Sequence, residues 1–472
     1  MNRRTYKDIL LVTGGNLLLM ITKLITWLVI PKILGLQEYG YYKTFTLYLT
    51  YTSFLHLGFP DGMLLIHGNQ SYEQLDKTLF RRNSRFFLIM QSLLALTIAI
   101  VSSLMNEAMA SYIGVMLALD MVFVNGTTYF KFISQATMRF LELTKRNVVQ
   151  AVLQVLIVAA IFTMDRMGRL KPDSKLYILL IVLADGLTFL WYTRSYKDLI
   201  LGKAQKYKQA WTSFKNYFMM GIMLTLAYQT AHLVFVLDMQ LVSINYDIST
   251  YSSYAFAYSI ISMVTMTVNA MATVFFPNFK RMTLEESKKY LPELTCVVLI
   301  IAFGVLIGVW PISIFISAWL PDYRNALPYL KLVIPGLAMS CCINIIFFTF
   351  YKVYGWLKKY LALALFILAV GIVLNFGIHF FYPNPMAYSV GSILTLLIWF
   401  GAADWQLSCR CGGDWKKDFF YTLFMLTVYY AAFLYTDNWL KSAIIYVCLY
   451  FVILMFFYRR KIQGIWQKIC RT

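Results

Sequence analysis

Acidic residues are scarce in this chain: 22 Asp and Glu stand against 42 Lys and Arg in 472 residues, a net charge of +20. Charge of either sign is thin at 14%, whereas 60% of the residues are hydrophobic and the mean hydropathy is +0.63. A soluble domain of this length carries far more charge, so a water-soluble fold is excluded. The 7 cysteines fall in apolar runs (Cys296, Cys341, Cys342, Cys448) or among basic stretches (Cys409, Cys411, Cys470). They imply no disulfide framework, and Cys409-Arg410-Cys411 offers too few ligands for a metal. There is no Walker-type loop, HExxH or GxSxG motif, which leaves no nucleotide, metal or acyl-transfer chemistry to assign. No cofactor, metal or catalytic residue is expected, and the chain does not read as an enzyme. Nor does the positive charge read as a nucleic-acid patch, because the basic residues lie between apolar segments.

What the chain has instead is apolar runs from end to end. A helix rises 1.5 Å per residue, so roughly 20 apolar residues cross a bilayer core of about 30 Å. Fourteen such spans account for the sequence, from 9–31 and 41–65 to 418–435 and 439–457. The first run continues to Pro31 with no small-residue cleavage site and is read as a retained helix, not a signal peptide. An even number of spans places both termini on one side. Of the 42 basic residues, 32 fall on that side and 7 on the other, while Lys23, Lys43 and Lys331 lie within or at the edges of spans. Positive charge marks the cytoplasmic face, so the termini are expected there. The longest connection, 193–216, is basic, with Trp211 and Phe214 interleaved near its end; it reads as a linker or as a segment lying on anionic lipid.

Lys23 falls close to the middle of the first span, where an unpaired charge costs at least about 2.5–3.5 kcal/mol. Helical spacing puts Asn16, Lys23 and Trp27 on one stripe. Thr225, Gln229 and His232 form another in span seven, and Thr46, Thr50 and Ser53 a third in span two. Span eight aligns Tyr258, Ser262, Thr265 and Asn269. Taken singly, such residues hydrogen-bond across packed helices; together they describe a water-filled cavity with Lys23 in it. Lys43 and Lys331 extend a basic path, or snorkel to the interface. Two intramembrane acids, Asp120 and Asp185, either carry a coupling proton or neutralise a cation within the fold.

Two halves of the chain echo each other. Tyr39-Gly40-Tyr41-Tyr42 is answered by Tyr251-Ser252-Ser253-Tyr254, and Phe59-Pro60-Asp61 by Phe276-Pro277-Asn278. The expected fold is therefore an all-α polytopic membrane protein of about 14 transmembrane helices. It comprises two pseudo-symmetric six-helix lobes in parallel repeat, 1–192 and 217–403, joined by the linker 193–216. A central cavity lies between them, and the two last helices and a tail (404–472) are added.

Leu34-Gly35, Tyr39-Gly40 with Tyr42, and Leu57-Gly58 resemble the start of a bacterial polysaccharide flippase of the O-antigen type. That family belongs to the multidrug/oligosaccharidyl-lipid/polysaccharide exporter superfamily. The resemblance implies a secondary transporter in the bacterial inner membrane that moves undecaprenyl-pyrophosphate-linked oligosaccharide from the inner to the outer leaflet. Its implied partners are that lipid-linked oligosaccharide, membrane lipids, and the polymerase and glycosyltransferases of surface polysaccharide synthesis. Two alternatives stand beside it: a cation-extruding drug antiporter of the multidrug and toxic compound extrusion type, and a non-transporting scaffold of a polysaccharide synthesis complex.

Overall fold

Residue for residue, the apolar spacing of the sequence becomes helix. The computed structural model describes residues 3–68, 70–168, 171–262, 284–436 and 438–469. The protein is an all-α polytopic membrane protein, with no strand among the described residues. Twelve helical stretches among them are long and apolar enough to cross a membrane.

The first helix, α1 (Arg3–Thr52), has 50 residues, about 75 Å at 1.5 Å each, enough for two crossings of a 30 Å core. Gly35, at φ 73° and ψ 179°, breaks its helical backbone and separates the two. Glycine suits that position because a Cβ is strained at positive φ. A 3₁₀ turn (Ser53–His56) and two left-handed residues, Leu57 and Gly58, then interrupt the second crossing before α2 (Phe59–His67). Pro60 lies in the first turn of α2, where its missing N–H costs nothing. The second expected span is thus a broken helix, because Pro60 and the left-handed pair cannot continue the one before it.

Then follow α3 (Lys77–Ser103), α4 (Ala108–Ala136), α5 (Phe140–Met167), α6 (Ser174–Ser195) and α7 (Tyr207–Asn245). A further helix, α8, is described over 248–262, with Asp247 accepting from the backbone N–H of Ser249 and Thr250 at its start. Phe276-Pro277-Asn278 and the end of the expected eighth span lie outside the described residues.

These helices form two units, one of Met1–Leu233 with Ser243–Ala255 and one of Val234–Val242 with Phe256–Thr472. In the first, Phe59 is the hub of an aromatic core. Its ring lies 5.7 Å from Phe87, 5.4 Å from Tyr217 and 5.1 Å from Phe218. The first part of α7, as far as Leu233, packs in the first unit. The reason lies in glycine: a Cβ on Gly62 would stand 1.9 Å from the Tyr217 carbonyl oxygen, and one on Gly221 1.8 Å from that of Gly58. With no side chain between them, the backbones of α2 and α7 touch.

The basic connection is held by its own backbone. Arg81, Arg82 and Arg85 of α3 donate to the carbonyls of Asp198, Lys203, Gln205, Ile200 and Gly202. Lys77 pairs with Asp198 at 3.0 Å, and the Tyr72 hydroxyl donates to the same carboxylate at 2.6 Å. Trp211 and Phe214 belong to the first turns of α7, Trp211 exposed and Phe214 buried.

The second unit continues with α9 (Leu284–Val305), α10 (Val309–Trp319), α11 (Leu327–Val333) and α12 (Gly336–Cys341). Pro335 interrupts the helix between α11 and α12. A π-helical segment, Cys342–Phe347, joins α12 to α13 (Phe348–Val353). Helices α14 (Leu357–Phe381), α15 (Pro385–Cys411), α16 (Trp415–Tyr435) and α17 (Trp439–Ile469) complete it. The last pair is fixed by aromatics: Trp310 stacks on Phe433 at 4.8 Å, and the Tyr446 hydroxyl donates to the Phe303 carbonyl at 2.7 Å.

Candidate functional site in the first unit

Around Lys23, α1 shows two different open faces. Leu18, Ile21, Leu24 and Ile25 are exposed apolar residues, suited to lipid. Lys23 is also exposed, but it stands about 140° round the helix from Leu18, at 100° per residue, beyond a seam formed by buried Leu19 and Thr22. It lies within Coulombic reach of Asp185 on α6, of Lys43 beyond Gly35, and of Lys131 on α4. An exposed side chain with charged neighbours on three other segments lines a concavity.

Depth brings these groups together. Lys23 precedes Gly35 by twelve residues, Asp120 follows the start of α4 by twelve and Asp185 that of α6 by eleven. Each is therefore about 17–18 Å from its helix end. Those three ends coincide: the Glu38 carboxylate accepts from the Ser174 backbone N–H at 2.8 Å, and the Tyr112 hydroxyl donates to the Lys175 carbonyl at 2.7 Å.

Asp185 accepts a hydrogen bond from Gln150 Nε2 at 3.3 Å and lies within Coulombic reach of Asp120. Asp120 is fully buried, and neither of its carboxylate oxygens has a hydrogen-bond partner among the described residues. Gln154, one turn beyond Gln150, has an equally unpartnered buried Oε1. Buried polar atoms are normally satisfied, which sets these apart as candidate site groups.

The expected residues separate into three groups. Lys23, Lys43, Asp120 and Asp185 share the site just described; Lys43 also lies over the rings of Tyr39 and Tyr42, at 5.1 and 5.4 Å. Trp27 is half-buried one turn from Lys23. Gln229 is buried and donates to the Ser53 hydroxyl, Thr225 donates to Asp61 at 2.9 Å, and His232 is half-buried on the same helix. Nearby, His56 Nδ1 accepts the Gly58 N–H at 3.1 Å, so that nitrogen carries no proton and its 3.8 Å approach to Asp61 is no ion pair. Tyr258 and Lys331 belong to the second unit, Tyr258 half-buried and Lys331 over the Phe433 ring at 5.0 Å. Asn269 and the side chain of Asn16 lie outside the described residues.

Lys131, Gln150 and Gln154 are absent from the expectation. The sequence spans end at residue 130 and so leave Lys131 in a connection, but α4 runs on to Ala136. The missed signal is its spacing: eleven residues after Asp120, about 20° round the helix, puts it on the same face.

Comparison with known proteins places this architecture. A search of curated proteins finds no match. Among solved structures, a lipid II flippase, MurJ, in an inward closed conformation, superposes with a TM-score of 0.66 at 16% identity, covering 97% of this chain and 100% of that one. The eukaryotic MATE transporter AtDTX14 gives 0.57 at 13% identity over 90% and 99%. A MOP superfamily transporter from Pyrococcus furiosus, described as having a binding pocket of reversed polarity, gives 0.55 at 11% over 86% and 96%. At these identities the likeness is one of fold, shared with flippases and transporters. The sequence profile of polysaccharide biosynthesis proteins matches residues 5–283, more than half of the chain, and the chain belongs to that family.

Proposed function

We propose that this protein is a flippase for lipid-linked oligosaccharide, of the undecaprenyl-pyrophosphate type, moving repeat units from the inner to the outer leaflet for O-antigen-like surface polysaccharide. The observation that carries this reading is the exposed Lys23, deep in a transmembrane helix, with Lys43 and Lys131 in its field. Three ammonium groups against the two carboxylates Asp120 and Asp185 favour an anionic head group. Tyr39, Tyr42 and Trp27 offer flat rings to sugars. The superposition on a lipid II flippase supports the same class of cargo.

A pyrophosphate-sugar head group cannot cross hydrocarbon unaided, because its charges and hydroxyls would lose hydration. The lysine site replaces that hydration and, by alternating access, opens to one leaflet and then the other. In this reading the lobes are 1–192 and 217–403, the linker 193–216 and the remainder 404–472. The membrane is the bacterial cytoplasmic membrane, with both termini cytoplasmic. Polymerase and glycosyltransferases act beside it. Asp120 and Asp185 are the candidates for ion coupling, and Gln229, His232, Tyr258, Asn269 and Lys331 for further contacts with the cargo.

A drug antiporter is the second reading, favoured by one observation, the unpartnered Asp120 carboxylate. Deleting the gene separates the two. Loss of surface polysaccharide with accumulation of its lipid-linked precursor is expected; normal polysaccharide with new sensitivity to cationic dyes would install the antiporter. Lys23→Ala in the complemented strain should abolish surface polysaccharide at normal expression, and Lys23→Arg should keep part of it.

A further inference from the structure

The break in the second crossing carries a histidine that the lysine site does not use. Leu57 (φ 52°) and Gly58 (φ 77°) are both left-handed there. Glycine adopts that backbone freely, but leucine is strained in it and stays only where its surroundings hold it. Side chains of the first unit do the holding. Gln91 of α3 donates to the Leu55 carbonyl at 3.0 Å, and Asn125 of α4 to the Thr52 carbonyl at 3.1 Å and to Gln91 Oε1 at 2.8 Å. Gln229 of α7 donates to the Ser53 hydroxyl. None of these amides titrates. The tie at the corner itself does: the Gly58 N–H donates to His56 Nδ1 at 3.1 Å.

Nδ1 accepts that bond only while the imidazole is neutral, with its proton on Nε2. A protonated ring has a donor at both nitrogens, so N–H would face N–H and the tie is lost. A replacement acceptor is in place, because Asp61 Oδ2, in the first turn of α2, lies 3.8 Å from the same nitrogen. Both side chains are largely buried. Thr225 of α7 already donates to that carboxylate oxygen at 2.9 Å. Farther along the packed helices stand His232, one turn beyond Gln229, and Tyr129, one turn beyond Asn125 and hydrogen-bonded to Ser84 at 3.1 Å. Lys131 of α4 lies in the field of Lys23.

We propose that His56 is a proton-binding site that sets the corner of the second crossing. In the neutral state Nδ1 holds the Gly58 N–H and the corner is closed. A proton taken from water at Nδ1 breaks that bond and forms Nδ1–H···Oδ2 to Asp61, which puts an imidazolium beside a carboxylate. Release of the proton to water restores the corner. Acid therefore withdraws one of the bonds that keep Leu57 left-handed, and base returns it. The site takes its proton whatever the cargo of the lysine site.

The test is nuclear magnetic resonance of the ring nitrogens in isotope-labelled whole protein in lipid nanodiscs. His56→Asn is the reference, since an Asn side-chain oxygen accepts the N–H two residues on and takes no proton. At about pH 8 the wild type should show an unprotonated ring-nitrogen signal that His56→Asn lacks, and acid should convert it to a protonated one. Asp61→Asn removes the waiting carboxylate and should lower the midpoint of that conversion by about one pH unit or more. Hydrogen exchange over 53–62 reads the corner directly. Compared at one pH, so that intrinsic rates cancel, wild type and His56→Asn should match in base. In acid the wild type should exchange about fivefold faster, the worth of one hydrogen bond. Should His56→Asn fail to fold, the midpoint shift in Asp61→Asn carries the test. An Nδ1 that stays unprotonated in acid, as it would if Asp61 took the proton, would overturn the proposal. So would a midpoint unmoved by Asp61→Asn, or equal exchange of wild type and His56→Asn in acid.

Discussion

Gly62→Ala tests the backbone contact between α2 and α7. The added methyl would stand 1.9 Å from the Tyr217 carbonyl oxygen, where ordinary contact begins at 3.4 Å. The two backbones must therefore part by about 1.5 Å, since neither is a flexible side-chain end. That movement carries Asp61–Thr225 and His67–Tyr217, now 2.9 and 2.7 Å, out of hydrogen-bond range. Overpacking costs about 1–3 kcal/mol and each lost bond about 1 kcal/mol, which together give about 3–5 kcal/mol against this arrangement. A 3 kcal/mol change alters a two-state population more than a hundredfold. The assay is alkylation of a cysteine replacing Met63, fully buried beside Gly62 in α2, in a background free of the seven native cysteines. Gly62→Ala should raise the labelling rate by about a hundredfold and lower the melting temperature. Gly14→Ala and Gly377→Ala are the controls, because nothing lies within 4 Å of the Cβ each would add. Wild-type labelling and melting in Gly62→Ala would refute the contact.

Lys131→Met should cut transport as Lys23→Ala does, and the double variant should be little worse than either alone, because both act on one head group; additive losses measured by precursor accumulation would separate them. Asp198 is pushed up by burial, but the Tyr72 hydroxyl and the Lys77 ammonium hold it below the ordinary carboxylate value. Its share of linker docking is therefore full above about pH 4 and lost as pH falls through the depressed value. Hydrogen exchange over 197–205 should quicken only in strong acid, and Asp198→Asn should remove that pH dependence. For topology, single cysteines at Lys208 and Ser249 should be protected and reactive, respectively, towards an impermeant reagent in intact cells. The reverse pattern would invert the orientation.

The sequence alone gave the solvent of this protein. Apolar runs of membrane length and a scarcity of acids exclude a soluble fold, and Leu34-Gly35, Tyr39-Gly40 and Leu57-Gly58 point to the family that the profile then matched. The depth of Lys23, Asp120 and Asp185 was legible too, because rise per residue converts position in a span directly into distance along it. Tertiary structure decided which of these groups meet. Periodicity fixes a residue's angle on its own helix, but says nothing of which other helix that angle faces. Gln150 and Lys131 therefore joined the site only when α1, α4, α5 and α6 had packed. The break at Ser53–Gly58 and the seating of α7 on Gly62 are of the same kind. A glycine is permissive in sequence, and its use as a bare backbone contact is decided by what the rest of the fold brings against it.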